Sequence, residues 1–141
     1  MKLRNWLIVG TILILGVIAY GAQQWFKPHP TIGTPTLFTS ANAVVHEFDT
    51  DETVATKKYV GADNDLCVTE ISGKISEVVL DSSGTTLAFE TENPIKGVRC
   101  TLDKFPKATE RKFTVGDSVT LKGLCTGFLS DVIFDRCVFV R

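Results

Sequence analysis

The sequence predicts a small all-β domain, a barrel or sandwich, carried behind one amphipathic helix and an N-terminal hydrophobic helix that crosses a membrane. Three observations lead there. No charged side chain occurs from Trp6 to Phe26. Between Ser40 and Tyr59 the apolar residues recur at three- and four-residue spacing, the period of a helix. After Gly61 the period falls to two, in short runs divided by turn residues, the pattern of a barrel or sandwich.

The run WLIVGTILILGVIAYGAQQWF is 21 residues long, and about 20 apolar residues in a helix span the hydrocarbon layer. Trp6 at one end and Tyr20, Trp25 and Phe26 at the other suit the two interfaces. Lys2 and Arg4 precede the run and only Lys27 follows closely, so the positive-inside bias leaves the N-terminus in the cytoplasm and carries the domain across, into the periplasm. The alternative is a cleaved signal peptide with Ala19-Tyr20-Gly21 as its processing site and a secreted domain. No Cys follows the run closely, which argues against an acylated lipoprotein N-terminus. Residues 1–26 are thus read as a cytoplasmic N-terminus and anchor. Residues 27–38, with Pro28, Pro30 and Pro35, form an extended spacer, and residues 39–141 are the folded domain.

The helix over Ser40–Tyr59 starts at a cap on Thr39 or Ser40. It turns Val44, Val45, Phe48, Ala55 and Tyr59 inward, leaves Glu47, Asp49, Asp51 and Glu52 on the solvated side, carries Lys57 and Lys58 in its last turn, and ends at Gly61. Five strands follow, near residues 66–78, 86–91, 97–102, 118–125 and 131–140, with Asp81-Ser82-Ser83-Gly84 as a turn and a short helical turn near 108–113. Gly73 and Gly123 fall mid-strand, where a sharp bend at a barrel corner explains a glycine.

Charge and chemistry exclude several classes. Behind the anchor and spacer stand 12 basic against 16 acidic residues, a net of −4, a poor balance for holding nucleic acid. His29 and His46 have no partners in sequence for a catalytic or metal constellation, and no Gly-rich phosphate loop, HExxH or Ser-centred elbow occurs. The four cysteines, Cys67, Cys100, Cys125 and Cys137, form no CxxC pair, so neither a zinc site nor any other metal or cofactor is expected. A non-enzymatic role follows from the same residues.

Certain spacings carry a resemblance: Ile71-x-Gly73-x-Ile75, Gly97-Val98-x-Cys100, then Gly116-Asp117-x-Val119-x-Leu121-Lys122-Gly123-x-Cys125-x-Gly127 and Asp131-Val132-x-Phe134-x-x-Cys137. With the helix end Lys57-Lys58-Tyr59-x-Gly61, they make residues 40–140 similar to the tRNA_anti-like family of OB-fold domains. The resemblance implies a five-stranded Greek-key OB barrel. It implies no tRNA binding, because the family's name reflects fold likeness to anticodon-binding domains. Many members resemble exported or membrane-anchored proteins.

An OB-fold places ligands on the face of its second and third strands, between the first and last hairpin loops. Here that surface includes Lys96, Arg99 and Thr101, with Phe128 and Leu129 at the rim, either as a contact patch or folded back to plug the barrel. The functions that remain are a binding module of unknown small-molecule or other ligand and an assembly role beside another envelope protein. An oligonucleotide-binding domain is the alternative, disfavoured because Ala88, Glu90 and Thr101 supply no outward aromatic ring.

An even cysteine count outside the cytoplasm suggests disulfides. Bridging Cys125 to Cys137 fails on register, because the two lie roughly 17 Å apart along the last hairpin at about 3.3 Å per residue. In an OB barrel the start of the first strand meets the end of the fourth, which brings Cys67 near Cys125. The third and fifth strands run parallel, which brings Cys100 near Cys137 if a bulge at Asp135-Arg136 turns Cys137 inward. The expected bridges are therefore Cys67–Cys125 and Cys100–Cys137.

Overall fold

A computed structural model describes residues 13–22, 32–61, 67–82, 84–104 and 112–140. The chain divides into two units, residues 1–31 and 32–141. In the first, residues 13–22 are helical (α1). Among the described residues no helix is long and apolar enough to cross a membrane. The predicted span of residues 6–26 extends beyond them at both ends. Residues 27–31 of the spacer also lie outside the described residues, as do residues 105–111, where most of the predicted helical turn falls.

The second unit begins earlier than the sequence suggests. Leu37–Ser40 is a strand, β1, paired in parallel with Thr69–Ser72. Ile32 is buried, and Lys122 Nζ donates to the carbonyls of Ile32 (3.4 Å) and Gly33 (3.1 Å). A proline-rich composition reports extended backbone, and extended backbone serves a sheet edge as well as a spacer.

The predicted single helix is two, α2 over Ala41–Thr50 and α3 over Glu52–Tyr59. Ser40 caps α2, its Oγ accepting from Ala43 N–H at 3.3 Å. Asp51 breaks the run: its backbone is extended (φ −154°, ψ 97°), and its Oδ1 accepts from Val54 N–H at 3.1 Å. A short carboxylate competes with the helical backbone for N–H groups, so Asp favours such a cap over a helix interior. The apolar face survives the break, and Val44, Val45, Phe48, Ala55 and Tyr59 are all buried. The break lets Phe48 and Tyr59 stack, with ring centroids 5.9 Å apart. Glu47 also differs from its expected place on the solvated side, since Oε1 accepts from the buried Tyr59 hydroxyl (3.0 Å) and Oε2 from Lys58 (2.6 Å). Gly61, in the left-handed region at φ 84°, ends α3 as expected.

The five expected strands are present: β2 (Val68–Asp81), β3 (Gly84–Phe89), β4 (Val98–Leu102), β5 (Ser118–Phe128) and β6 (Val132–Phe139). Neighbours run β2-β3-β4-β6-β5, and β5 returns to pair with β2, closing the barrel in the strand order of an OB-fold. The fourteen-residue β2 makes closure possible by changing partners: Val68–Lys74 pair with β5, and Ile75–Asp81 pair with β3 across a bulge at Ser76. Inward residues Ile71, Ile75, Leu87, Val98, Cys100, Leu121, Val132 and Phe134 make one core with the helices.

The two mid-strand glycines answer to space as well as to bending. A Cβ on Gly73 would stand 2.9 Å from Cγ of Phe89, where β2 exchanges β5 for β3. One on Gly123 would stand 2.5 Å from Sγ of Cys137. The bulge at Asp135-Arg136 that was the condition for an inward Cys137 exists: Leu124 pairs with Asp135 but Lys122 with Val138, and Arg136 has φ 53°. It turns Cys137 into the core, as required.

The predicted disulfides are absent, and all four cysteines are free thiols. Their predicted neighbourhoods do hold. Cys67 and Cys125 flank the first β2–β5 register pair, Val68 with Leu124, but the Cys67 thiol donates to the Lys58 carbonyl (3.5 Å) and meets the Thr36 hydroxyl (3.5 Å), while Cys125 faces the core. Cys100 aligns with Phe134, and Cys137 with Leu102, so the second pair meets diagonally. Hydrogen bonding to Cys100, with burial, holds the Cys137 thiol well above its ordinary pKa, and burial pushes Cys125 up to about 11. Thiols so shifted stay protonated at neutral pH and pack as small apolar groups.

Candidate functional site

The outward face of β3 and β4 is a shallow concavity of about 320 Å³ whose lining includes Glu77, Ala88, Ile95, Arg99 and Asp131. Alternation along the strands puts Ala88, Arg99 and Thr101 outward, because Leu87, Phe89, Val98, Cys100 and Leu102 fill the core. Thr86 and Thr101 are directly paired, their hydroxyls 3.3 Å apart.

Asp131 organises the rim. Its Oδ2 accepts from Arg99 Nε at 2.6 Å and its Oδ1 from Gly97 N–H at 2.8 Å, while Val132 N–H donates to the Gly97 carbonyl at 2.9 Å. The β3–β4 loop and the β5–β6 turn are thereby tied together. Burial works to raise the Asp131 pKa, but the hydrogen bonds from Arg99 and Gly97 prevail and hold the carboxyl below its usual value. The same bond holds the Arg99 guanidinium above its own. Gly97 and Asp131 both stand in the spacings that carry the family resemblance, and this tie is a physical reason for their joint presence.

The predicted site residues divide between two places. Arg99 and Thr101 belong to the sheet face. Lys96 also lines the concavity, but its Nζ reaches the barrel end under α2, where it pairs with the Asp49 carboxylate and lies 5.3 Å from the ring centroid of Phe128. Phe128 stacks on Phe48 at 5.3 Å, folded back onto the core. Leu129 does not follow it and is 82% exposed.

Sequence reasoning missed three participants. Asp131 was legible as a strand start and as part of the family spacing, but not as a partner of Arg99 and Gly97. Asp49, placed on the solvated face of the helix, holds Lys96 and accepts from Asn93 Nδ2 at 3.0 Å. Ile95, beside a proline in a loop, carried no periodic signal, yet it is 81% exposed on the loop tied to Leu129's own. The described outward face carries no aromatic ring. Among the described residues, no three His, Cys, Asp or Glu side chains gather as a metal site would require.

A family model described as tRNA_anti-like matches residues 1–139. No curated protein and no solved structure matches the chain. The barrel closure, the paired Gly97 and Asp131 and a match over nearly the whole length agree: this chain belongs to the tRNA_anti-like family.

Proposed function

We propose that the protein is a membrane-anchored, extracytoplasmic OB-fold module that holds an envelope protein partner and catalyses no reaction. One observation carries the binding reading: Ile95 and Leu129, the two most exposed large apolar side chains among the described residues of the barrel unit, stand on loops fixed to each other through Asp131. Apolar tips on a preorganised rim lose little conformational entropy on contact, which is the economy of a protein-binding hot spot. The uncharged run of residues 6–26 and the exposed Leu13, Ile14, Leu15, Val17, Ile18 and Tyr20 on α1 support the anchor, since a helix apolar on all sides suits lipid. The oligonucleotide alternative finds neither stacking rings nor a basic groove on the described face.

A photo-crosslinking side chain at position 129 of the full chain, in its own membranes, is expected to give one discrete protein adduct. Ile95→Asp should reduce that adduct about tenfold or more, the effect of removing a hot-spot contact. A nucleic-acid adduct, or a protein adduct indifferent to Ile95→Asp, contradicts the reading. The topology has its own measurement: protease added to intact spheroplasts should digest the domain, and complete protection would refute the exported location.

A further inference from the structure

We propose that the opposite side of the barrel, the outward face of β1, β2 and β5, is a binding site for a neutral, hydroxyl-rich ligand, a glycan strand. The register sets three rows across these strands. Phe38, Glu70 and Lys122 form the first and Ser40, Ser72 and Thr120 the second. The third is Lys74 and Ser118, with the Glu90 carboxylate 3.2 Å from Lys74 Nζ. Side chains directly opposite one another share a face, and successive same-face positions are about 7 Å apart along a strand.

The second and third rows floor a cleft of about 650 Å³, walled by the start of α2 at Asn42 and by Thr91 and Glu92 after β3. That volume is in the range of sites for small ligands, about 300–1,000 Å³. Five of its twelve lining residues, Ser40, Ser72, Thr91, Ser118 and Thr120, carry hydroxyls, and those of Ser72, Thr120 and Ser118 stand in the second and third rows. Each hydroxyl is both donor and acceptor, the complement of a sugar hydroxyl. One lysine against two glutamates excludes a polyanion and leaves carboxylate oxygens to accept from sugar O–H groups. Phe38 supplies what a glycan site also needs: an aromatic ring, 71% exposed, one row beyond the cleft, on which the apolar face of a pyranose can lie. Phe38 stands outside the hydrophobic core, and it ends a polar strip rather than an apolar one. This site shares no residue with the Ile95–Leu129 rim.

The full chain, held in a detergent without a sugar headgroup, is titrated with an N-acetylglucosamine tetramer and, separately, with a sulfated oligosaccharide, and backbone amide shifts are followed. Saturable shifts at Phe38, Ser72 and Thr120 are expected with the neutral probe. Phe38→Ala should weaken binding about tenfold by removing the ring contact. Ser72→Arg, which fills the exposed floor without entering the core, should abolish it, while Leu129→Asp keeps the parent affinity. Unsaturable titration at about 10 mM, tighter binding of the sulfated probe, or shifts on the Arg99–Thr101 face would overturn the assignment.

Discussion

Gly123→Ala is expected to be among the most damaging single-methyl additions to this barrel. The new Cβ would stand 2.5 Å from Cys137 Sγ, 3.2 Å from the Asp135 carbonyl oxygen and 3.5 Å from Cys137 Cα. None of these is a flexible tip. Cys137 is 1% exposed, it hydrogen-bonds with Cys100, and the carbonyl belongs to a bulge fixed between β4 and β5. Overpacking of this kind costs about 3 kcal/mol, which lowers the melting temperature of a domain of this size by about 12–24 °C. Thermal unfolding of the single variants and of Gly123→Ala/Cys137→Ala checks the cause. Removing Sγ should restore part of the loss, so the double variant should be more stable than Gly123→Ala alone. Strictly additive losses would mean that the sulfur is not what the glycine accommodates. Gly73→Ala should cost less, because its contacts, Phe89 Cγ at 2.9 Å, Phe89 Cδ2 at 3.1 Å and Ala41 Cβ at 3.2 Å, are all longer than the 2.5 Å to Cys137 Sγ.

Asp131→Ala is expected to cost about 2 kcal/mol, the scale of a charge-assisted hydrogen bond removed from a partly buried carboxylate together with the backbone N–H it satisfies. The loss should concentrate where the two loops meet, as faster amide exchange at Gly97 and Val132 and not in the barrel core. The same tie has a pH dependence. The folded carboxyl sits below its ordinary value, so the unfolded chain binds the proton more readily. The stability Asp131 contributes is therefore complete above about pH 4 and is lost as the pH falls through the lowered folded value. Wild-type stability should decline more steeply with acid than that of Asp131→Ala. Parallel declines would show that the carboxylate is not the group responsible. By loosening the rim, the substitution should also reduce the position-129 adduct while leaving both apolar side chains intact.

Much of the architecture is set by local pattern alone. The period change at Gly61 reflects a physical switch, from burial on one side of a helix to burial on one side of a sheet, and it located all five barrel strands. The Ser40 cap, the Gly61 stop and the bulge at Asp135-Arg136 were legible for the same reason. A capping side chain, a left-handed glycine and a break in alternation are each decided within a few residues. Alternation also tells that Arg99 and Thr101 face outward from β4, and the turn position of Leu129 agrees with its exposure.

What depended on partners distant in sequence had to await the tertiary structure. The break at Asp51 preserves the apolar face, so the periodicity could not reveal it; only the stacking of Phe48 on Tyr59 shows what the break achieves. Leu37 and Phe38 read as spacer, and Thr39 and Ser40 as a helix cap, until β2 is beside them, because a single extended segment has no local signature of its pairing. Phe128 and Leu129 are adjacent and equally apolar, yet Phe48 waits beneath one and nothing covers the other. Cys67 and Cys125 flank one register pair and still do not bond, because Cys67 stands just before β2, where its sulfur meets Lys58 and Thr36. Sequence determines which residues can occupy a face; packing from elsewhere in the chain decides which of them that face leaves exposed.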